Sequence, residues 1–198
     1  MNVAPVTLEG NHVRLEPLSL EHLDALCAVG LDPELWNFTT VNIRNREDMR
    51  AYVEEALKLQ VAGTVIAFAT RDKKSAHIVG STRLADIQTQ HRTMEIGWTW
   101  IARSHQRTAV NTEAKYLMLR HAFETMDARR VMLKTDETNV KSRAAIARIG
   151  AKQEGILRNH MLVWGGRNRN SVIFSIIAEE WPEVKRNLEA KLAERASA

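Results

Sequence analysis

The residues best suited to chemistry in this chain surround a basic, hydroxyl-rich loop at positions 103–111. A strand-like run precedes the loop at 94–102, and an amphipathic helix with a broad apolar stripe follows it at 112–126. Backbone N–H groups at the start of a helix have no intrahelical partners, and the helix dipole adds partial positive charge there. The junction of loop and helix therefore predicts a phosphate-binding site.

The distribution of charge agrees with that prediction. Residues 101–170 contain 14 Lys and Arg but 6 Asp and Glu, whereas residues 1–100 contain 10 and 13. The basic half of the chain thus coincides with the phosphate loop. A solvated basic face explains this excess as well as an anionic ligand or a nucleic acid would, and charge alone leaves these alternatives open.

Composition excludes several classes of protein. The 198 residues can bury one core without disulfides, and Cys27 is the one cysteine, so no internal disulfide can form. The first residues lack the charged and apolar regions of a signal peptide, and no apolar run reaches the ~18 residues of a membrane helix. We expect a cytoplasmic protein. The seven histidines lack metal-ligand spacing, which predicts no metal.

Periodicity and turn residues divide the chain into alternating strands and helices. The predicted strands lie at 12–17, 64–71, 77–86, 92–101, 130–135, 152–163 and 168–177. The predicted helices lie at 19–29, after Asn45 as far as Gly63, and at 112–126, 140–149 and 179–194. This order predicts an α+β (mixed α/β) fold. Its sheet would be mixed, mostly antiparallel and of about seven strands, with helices on both faces.

Three segments in this order resemble the GNAT superfamily of acyl-CoA-dependent N-acetyltransferases. They are Met94-Glu-Ile-Gly-Trp-Thr-Trp100, Asn111-Thr-Glu-Ala114, and Asn139-Val-Lys-Ser142 followed by Arg148-Ile-Gly150. The most similar branch contains the ribosomal-protein N-terminal acetyltransferases and their small-molecule relatives. The resemblance covers nearly the whole chain and implies one acyl-CoA N-acyltransferase domain over residues 1–198, with a sheet split between its central strands.

Two positions depart from the superfamily's pattern. Its phosphate loop is commonly written [QR]-x-x-G-x-[GA], and here Ala109 and Asn111 follow Gln106 at the two small-residue positions. Asparagine tolerates a left-handed backbone better than most residues, so we expect Asn111 to replace the glycine there. The second departure is Ile146, which lies where many members carry a tyrosine proposed to protonate the leaving thiolate.

The resemblance implies a binding site for acetyl-CoA as cosubstrate. Main-chain N–H groups of residues 107–112 would bind the pyrophosphate, and the pantetheine arm would lie along residues 100–103. Arg103, Arg107, Lys115 and Arg143 are candidates to pair with the phosphates, with surface solvation as the alternative for each. The complete set of expected coenzyme contacts is Trp100, Ile101, Ala102, Arg103, Arg107, Thr108, Ala109, Val110, Asn111, Thr112, Asn139, Ser142 and Arg143.

Glu95 is the candidate general base. Strict alternation along the strand predicts that it shares a face with Gly97 and Thr99. A free carboxylate titrates near ~4.3, far below an amine, so Glu95 would act through burial or through a chain of water. The alternative is a structural ion pair with Arg83 or another strand charge.

Asn139 and Ser142 complete the catalytic prediction. The resemblance places Asn139 where the family uses an asparagine amide, although Asn139 is also a good helix N-cap. It places Ser142 near the thioester sulfur, where a hydroxyl could hydrogen-bond to the thiolate in place of the missing tyrosine. A serine hydroxyl is a poor acid, so full proton donation by Ser142 is less plausible.

The acceptor site is predicted from Trp36, Phe38, Arg158 and His160. The two aromatic residues could equally belong to the core, and a lone histidine is more often structural. The expected activity is acetyl transfer to a primary amine by direct attack in a ternary complex. A non-catalytic acyl-CoA-binding or sensing protein is the alternative, and the chain lacks a nucleic-acid-binding motif. The acceptor, a ribosomal protein N-terminus or a small amine, stays open, as does a homodimer formed through the late strands.

Overall fold

A computed structural model describes residues 1–196, with side chains through 194. The eight strands are β1 (Leu8–Glu9), β2 (Val13–Pro17), β3 (Ile66–Asp72), β4 (Ile78–Gln88), β5 (Thr93–Ile101), β6 (Arg130–Asp136), β7 (Lys152–Leu162) and β8 (Asn168–Ile177). The five α-helices are α1 (Leu23–Gly30), α2 (Arg46–Val61), α3 (Ala109–Arg120), α4 (Val140–Arg148) and α5 (Trp181–Ala196). The strand additional to the expected seven is β1, a two-residue segment too short to give a sequence signal.

All eight strands form one sheet in the order β1-β2-β3-β4-β5-β6-β8-β7. Every pair is antiparallel except β5 with β6, which are parallel because α3 connects them as a crossover. The predicted mixed, mostly antiparallel α+β fold is therefore confirmed. Its parallel pair lies at the centre, where the candidate base, Glu95, is located.

Two separate apolar cores cover the two faces of the sheet. One core packs α3, α4 and α5 against the sheet, and we call this side the α3 face. The other core packs α1 and α2 against β3, β4 and part of β5, and we call this side the α2 face. Because both faces are packed at the centre of the sheet, side chains on β5 reach one helical layer or the other.

Capping residues decide where the helices begin. The Asn45 side chain accepts hydrogen bonds from the N–H groups of Glu47 and Asp48, as expected for the predicted N-cap of α2. Helix α3 begins three residues earlier than predicted, at Ala109, because Thr108 serves as its N-cap. The α-helix ends at Arg120 and continues as a π-helical turn to Thr125, so the prediction of one helix over 112–126 was wrong at its start but not at its end.

Within residues 1–196, no helix has the length and apolar character needed to span a membrane. The same part of the chain contains no cluster of three or more His, Cys, Asp or Glu side chains arranged to hold a metal ion.

Candidate active site

The sheet opens between β5 and β6. These two strands pair only from Thr93 to Glu95 and from Arg130 to Met132, and beyond those residues they diverge. The resulting fork is the split that the family resemblance predicted. The start of α3 and the start of α4 both follow the diverging strand ends in the chain, so main-chain and side-chain donors converge on the opening.

A β-bulge in β5 lies at the fork. Gly97 pairs with Arg83 and Trp100 pairs with Ser81, so two residues of β5 stand opposite Thr82 alone. The backbone of Trp98 adopts a left-handed φ of 49° to accommodate the extra residue. A bulge increases strand twist and leaves a residue outside the ladder of hydrogen bonds. It therefore helps to separate β5 from β6 at the fork.

The bulge changes which side chains of β5 lie on the same face of the sheet, compared with the prediction. Trp98 and Trp100 lie on the α2 face with Glu95, where the Trp100 ring is 5.4 Å from the Trp36 ring. Thr99 lies on the α3 face instead, with its hydroxyl 2.6 Å from the Lys115 Nζ. The prediction that Glu95 and Thr99 share a face was wrong, because one extra residue reverses the alternation.

Glu95 is buried at the fork, with 2% of its surface exposed. Its Oε2 lies 2.7 Å from the Lys134 Nζ, in an ion pair that is not aligned as a hydrogen bond. Burial raises the pKa of the Glu95 carboxyl above its usual range, although Lys134 opposes this shift. A Cβ on Gly97 would come within 2.5 Å of the Glu95 Oε1, so glycine at that position makes room for the carboxylate.

Arg83 is not the partner of Glu95. The buried Arg83 guanidinium lies 4.4 Å from the centre of the Tyr52 ring and donates a hydrogen bond to the main-chain oxygen of Tyr52. It also contacts the Glu55 carboxylate. The structural alternative for Glu95 is therefore an ion pair with Lys134, a residue that sequence reasoning missed because lysine is common on exposed strands.

The phosphate loop differs from the expectation in its backbone. The left-handed residue is Arg107, with a φ of 65°, whereas Ala109 and Asn111 belong to the first turn of α3. The expectation that Asn111 replaces a left-handed glycine was therefore wrong. The Thr108 hydroxyl accepts a hydrogen bond from Val110, and the remaining first-turn N–H groups have no intrahelical partners. These donors are suited to an anion without any glycine in the loop.

Several predicted coenzyme contacts have buried side chains. Trp100, Ala102 and Val110 belong to the apolar cores, so their side chains are not placed to meet a ligand. The buried Thr112 hydroxyl lies 3.4 Å from the Arg148 guanidinium. Arg148, at the end of α4, thereby brings positive charge beside the start of α3. Sequence reasoning assigned no role to Arg148, since one exposed arginine in a basic segment gives no distinctive signal.

The candidate phosphate-binding cations occupy three different environments. The Arg103 guanidinium is 2.9 Å from the Glu34 carboxylate, so its charge is already paired. Arg143 donates a hydrogen bond to the main-chain oxygen of Glu137. Lys115 is buried on the α3 face, where its Nζ contacts β4 and β5. The prediction that Lys115 pairs with a phosphate was wrong, because its side chain points away from the loop.

Asn139 and Ser142 form the N-terminal cap of α4. The Asn139 side-chain oxygen accepts a hydrogen bond from the Ser142 N–H at 3.0 Å, so the amide NH₂ is the part of Asn139 that can reach a ligand. Ser142 is half-buried in the first turn. Ile146, one turn later, is buried in the core of the α3 face. This position therefore offers no proton donor.

The predicted acceptor residues are only partly brought together. Trp36 is 1% exposed and its indole N–H donates to the Gly30 oxygen, so it is a core residue and its predicted contact with an acceptor was wrong. Phe38 is half-buried, and its main-chain oxygen accepts a hydrogen bond from Arg169. The indole N–H of Trp164, at the tip of the β7–β8 hairpin, donates to the Trp36 oxygen. The hairpin and the loop before α2 are thus joined.

Arg158 and His160 lie on β7, beside an open groove of about 900 Å³. The His160 Nδ1 is 2.9 Å from the Ser171 hydroxyl, and the same hydroxyl accepts a hydrogen bond from the buried Arg169. Burial, with the positive charges of Lys134 and Arg169, lowers the pKa of His160. The imidazole is therefore suited to hydrogen bonding in its neutral form at pH 7. Sequence reasoning missed Arg169, whose burial could not be inferred from an exposed-looking hairpin.

Comparisons with known proteins agree with this geometry. The chain resembles a GCN5-related N-acetyltransferase from Brucella melitensis, with 30% identity and a TM-score of 0.88 over 96% of this chain and 86% of the other. It is 32% identical over 104 residues to "putative ribosomal N-acetyltransferase YdaF" of Bacillus subtilis, covering 52% of this chain and 56% of that protein.

A third likeness shows the fold. The structure of Mycobacterium smegmatis RimJ in complex with CoA-disulfide superposes with a TM-score of 0.83 at 22% identity, over 96% of both chains. The family model for the acetyltransferase (GNAT) domain matches residues 12–152, which is more than half of the sequence. The eight-stranded forked sheet, the capped helix at its opening and this match together establish that the chain belongs to the GNAT acetyltransferase family.

Proposed function

We propose that this protein transfers the acetyl group of acetyl-CoA to a primary amine, by direct attack of the amine within a ternary complex. The observation that carries the proposal is the buried Glu95 carboxylate at the fork between β5 and β6, next to two helix starts that offer N–H donors. Membership of the family and the coenzyme bound to RimJ support acetyl-CoA as the acyl donor.

The coenzyme would be held at the start of α3. First-turn N–H groups would donate hydrogen bonds to the pyrophosphate, with Arg107 and Arg148 nearby to supply positive charge. The pantetheine arm would enter the fork along the main chain of residues 100–103. A main-chain N–H group at the bulge is proposed to polarise the thioester carbonyl, because a preorganised donor stabilises the oxyanion that forms there.

The amine would approach from the α2 face, where Glu95 lies. Glu95 would accept the proton that the attacking amine releases, directly or through water, and Lys134 would hold the carboxylate in position. Phe38, Arg158 and His160 are proposed to line the approach and to select the acceptor. The names of YdaF and of related structures make a ribosomal protein N-terminus one candidate acceptor, and a small amine is the other.

The continuity of the sheet supports one acyltransferase domain over residues 1–198. We also propose a cytoplasmic location. A non-catalytic acyl-CoA-binding role is the alternative. It is favoured by one observation, which is that Ile146 offers no acid for the leaving thiolate.

The test is release of free thiol from acetyl-CoA in the presence of a panel of acceptors. The panel would contain short peptides with free N-termini, amino acids and polyamines, and mass spectrometry would identify an N-acetyl product. Acetylation of one acceptor class at a rate well above the protein-free rate is expected. Tight binding of acetyl-CoA without thiol release on any acceptor would favour the non-catalytic alternative.

A further inference from the structure

Arg169, near the start of β8, is a buried guanidinium without a carboxylate partner. It is 8% exposed. Its Nε donates a hydrogen bond to the Ser171 hydroxyl at 3.1 Å, and its Nη1 donates to the Phe38 main-chain oxygen at 3.2 Å. Both acceptors are neutral. Among the side chains of residues 1–194, no carboxylate is in ion-pair contact with Arg169, although a buried arginine usually has an opposite charge as its partner.

The two carboxylates whose charges act on Arg169 are bound by other groups. Asp136 is 2.7 Å from the Arg167 guanidinium and also accepts hydrogen bonds from the N–H and the hydroxyl of Thr138. Glu95 is in the ion pair described above. Burial lowers the pKa of Arg169, and the charges of Asp136 and Glu95 only oppose that shift. The guanidinium is thus available to an anion from outside this part of the chain.

Arg169 lies at the open end of the fork. Strands β5 and β6 pair only through their first residues, so the fork widens toward Asp136, the last residue of β6. Ser171 pairs with Asp136, which puts the start of β8 at that open end. Val172 packs in the core of the α3 face, so Ser171 and Arg169 lie on the α2 face by alternation. Glu95 lies on the same face, and its charge raises the pKa of Arg169, so the two groups are near one another.

One nitrogen of the Arg169 guanidinium has no partner in the described part of the chain. Nη2 makes no hydrogen bond there, and it is not sealed from solvent, unlike the buried and unpartnered Nε of Arg83. The hydrogen bonds from Nε and Nη1 fix the plane of the guanidinium, because a planar group held at two of its nitrogens cannot turn. Nη2 is therefore oriented in advance for an anionic acceptor of hydrogen bonds, such as a carboxylate.

The hydroxyl that holds Arg169 also orients His160. The Nε of arginine can only donate, so the Ser171 oxygen accepts from Arg169, and the hydrogen of the hydroxyl is directed to the His160 Nδ1 at 2.9 Å. The proton of the neutral imidazole is then on Nε2. His160 is exposed and lines the open groove beside β7 together with Arg158 and Asn170, the residue next to Arg169. This groove thus adds a further N–H donor and a further positive charge.

A neutral side chain would be sufficient for a purely structural role. The contacts of Arg169 with Ser171 and Phe38 join β8 to the loop before α2, and an uncharged donor could make such contacts without the cost of a buried charge. An anion on the bound acceptor would offset that cost. An otherwise identical acceptor without the anion would leave the buried charge unpaired and should be rejected.

We propose that Arg169 binds a carboxylate of the acceptor, so that the substrates of this enzyme are amines that also carry a carboxylate group. The inference rests on the proposed acetyl transfer. Glu95 would receive the amine of such an acceptor at the fork, and Arg169 would hold its carboxylate at the open end, with His160 as a second donor. The carboxylate belongs either to a free amino acid or to an acidic side chain near the N-terminus of a peptide.

The experiment offers matched acceptors in competition. One mixture contains the common amino acids and their carboxamides. The other contains C-terminally amidated tripeptides with Asp or Glu in the first two positions, together with the same peptides carrying Asn or Gln there. Mass spectrometry of the acetylated products gives the ratio of kcat/KM for each carboxylate and its amide. We expect the wild type to prefer the carboxylate by about tenfold or more in one mixture, and that mixture identifies the source of the carboxylate.

Variants assign this preference to Arg169. Arg169→Gln should reduce it to below about threefold, and Arg169→Lys should retain part of it, because lysine keeps the charge but not the planar fork. Differences in amine basicity within a pair cancel when a variant is compared with the wild type. A residue that only joins β8 to the loop would change both members of a pair equally. Arg186→Gln, an exposed substitution on α5, should keep the wild-type preference.

The coenzyme site provides a second control. The acetyl-CoA KM and the acetyl-CoA-induced rise in melting temperature should be the same in Arg169→Gln and in the wild type, because Arg169 lies on the face opposite the core that packs α3. The wild-type preference and Arg169→Lys keep the test decisive if Arg169→Gln does not fold.

A wild-type enzyme that acetylates carboxylates and amides equally, or an Arg169→Gln enzyme that keeps the wild-type preference, would overturn the inference and leave the acetyltransferase proposal intact. A wild-type protein that binds acetyl-CoA but acetylates no acceptor would overturn both.

Discussion

The two sides of the fork hold their buried charges in opposite ways. On the α2 face, Glu95 is paired with Lys134 at 2.7 Å. On the α3 face, Lys115 has two hydroxyl groups as partners and, within residues 1–194, no carboxylate. Lys134 offsets part of the cost of burying the Glu95 charge, whereas within residues 1–194 no carboxylate offsets the cost of burying Lys115. The difference predicts opposite effects on stability when Lys134 and Lys115 are replaced.

Glu95→Gln should produce the largest effect. The amide keeps the size of the side chain but cannot accept a proton from the amine, so we expect kcat to fall by about 100-fold or more, with little change in the acetyl-CoA KM. Initial rates of thiol release at saturating acceptor would measure this. Glu54→Gln, on the exposed side of α2, is the matched control. Wild-type activity in Glu95→Gln would show that Glu95 is not the general base.

Lys134→Met should lower stability. The substitution leaves Glu95 buried without its cation, and we expect a loss of about 2 kcal/mol in the free energy of unfolding at pH 7. The loss is expected to shrink as the pH is lowered, since a carboxyl with a raised pKa is neutralised at a higher pH than an ordinary one. Denaturant titration at neutral and at acidic pH would test this, and an unchanged midpoint would show that the ion pair adds nothing.

Lys115→Met should act in the opposite direction, raising the free energy of unfolding by about 1 kcal/mol or more at pH 7. Lysine in the unfolded chain titrates near ~10.4, whereas Lys115 in the folded protein titrates at about 7. Below pH 7 both states are protonated and the full penalty of burial is present. Between pH 7 and pH ~10 only the folded state loses its proton, so the penalty disappears.

The advantage of Lys115→Met should accordingly be largest at or below pH 7 and vanish toward pH 10. Thermal unfolding across this range would measure it, with Lys58→Met, which removes an exposed lysine on α2, as the control. A Lys115→Met protein less stable than the wild type at pH 7 would mean that the lysine is structural, and the contrast between the two faces would fail.

Arg148→Ala should give the smallest effect. The guanidinium lies beside the start of α3, and its removal should raise the acetyl-CoA KM by about threefold to tenfold through the loss of one partly exposed charge. The kcat should not change. Arg186→Ala, an exposed substitution on α5, provides the comparison. A KM equal to that of the wild type would show that Arg148 does not contribute to binding the coenzyme.

Most of the fold could be predicted from the sequence because every longer strand and helix carried a local signal. Asn45 and Gly63 bounded α2, and the Trp164-Gly165-Gly166 turn separated β7 from β8. The short strand β1 was not predicted because two residues are too few to show a periodic pattern. The start of α3 was misplaced because the family pattern favoured a loop through Asn111, whereas the Thr108 cap begins the helix at Ala109.

The site was less predictable because it depends on the bulge. Alternation placed Thr99 with Glu95, and only the extra residue at Trp98 moved it to the face of Lys115. Nothing in a single sequence marks a bulge at a tryptophan, since glycine is the residue expected at a left-handed position. The partners of Glu95 and Lys115 are likewise long-range contacts, which periodicity does not reveal.

The melting temperature of the purified protein with acetyl-CoA, with ATP and NAD as controls, tests most directly the central claim that the fork binds this coenzyme. Acetyl-CoA at 100 times its Kd should add about 2.7 kcal/mol of stability, seen as a clear rise in the melting temperature that ATP and NAD do not reproduce. No rise at millimolar acetyl-CoA would contradict the claim, and the proposed role of Glu95 in acetyl transfer would fall with it.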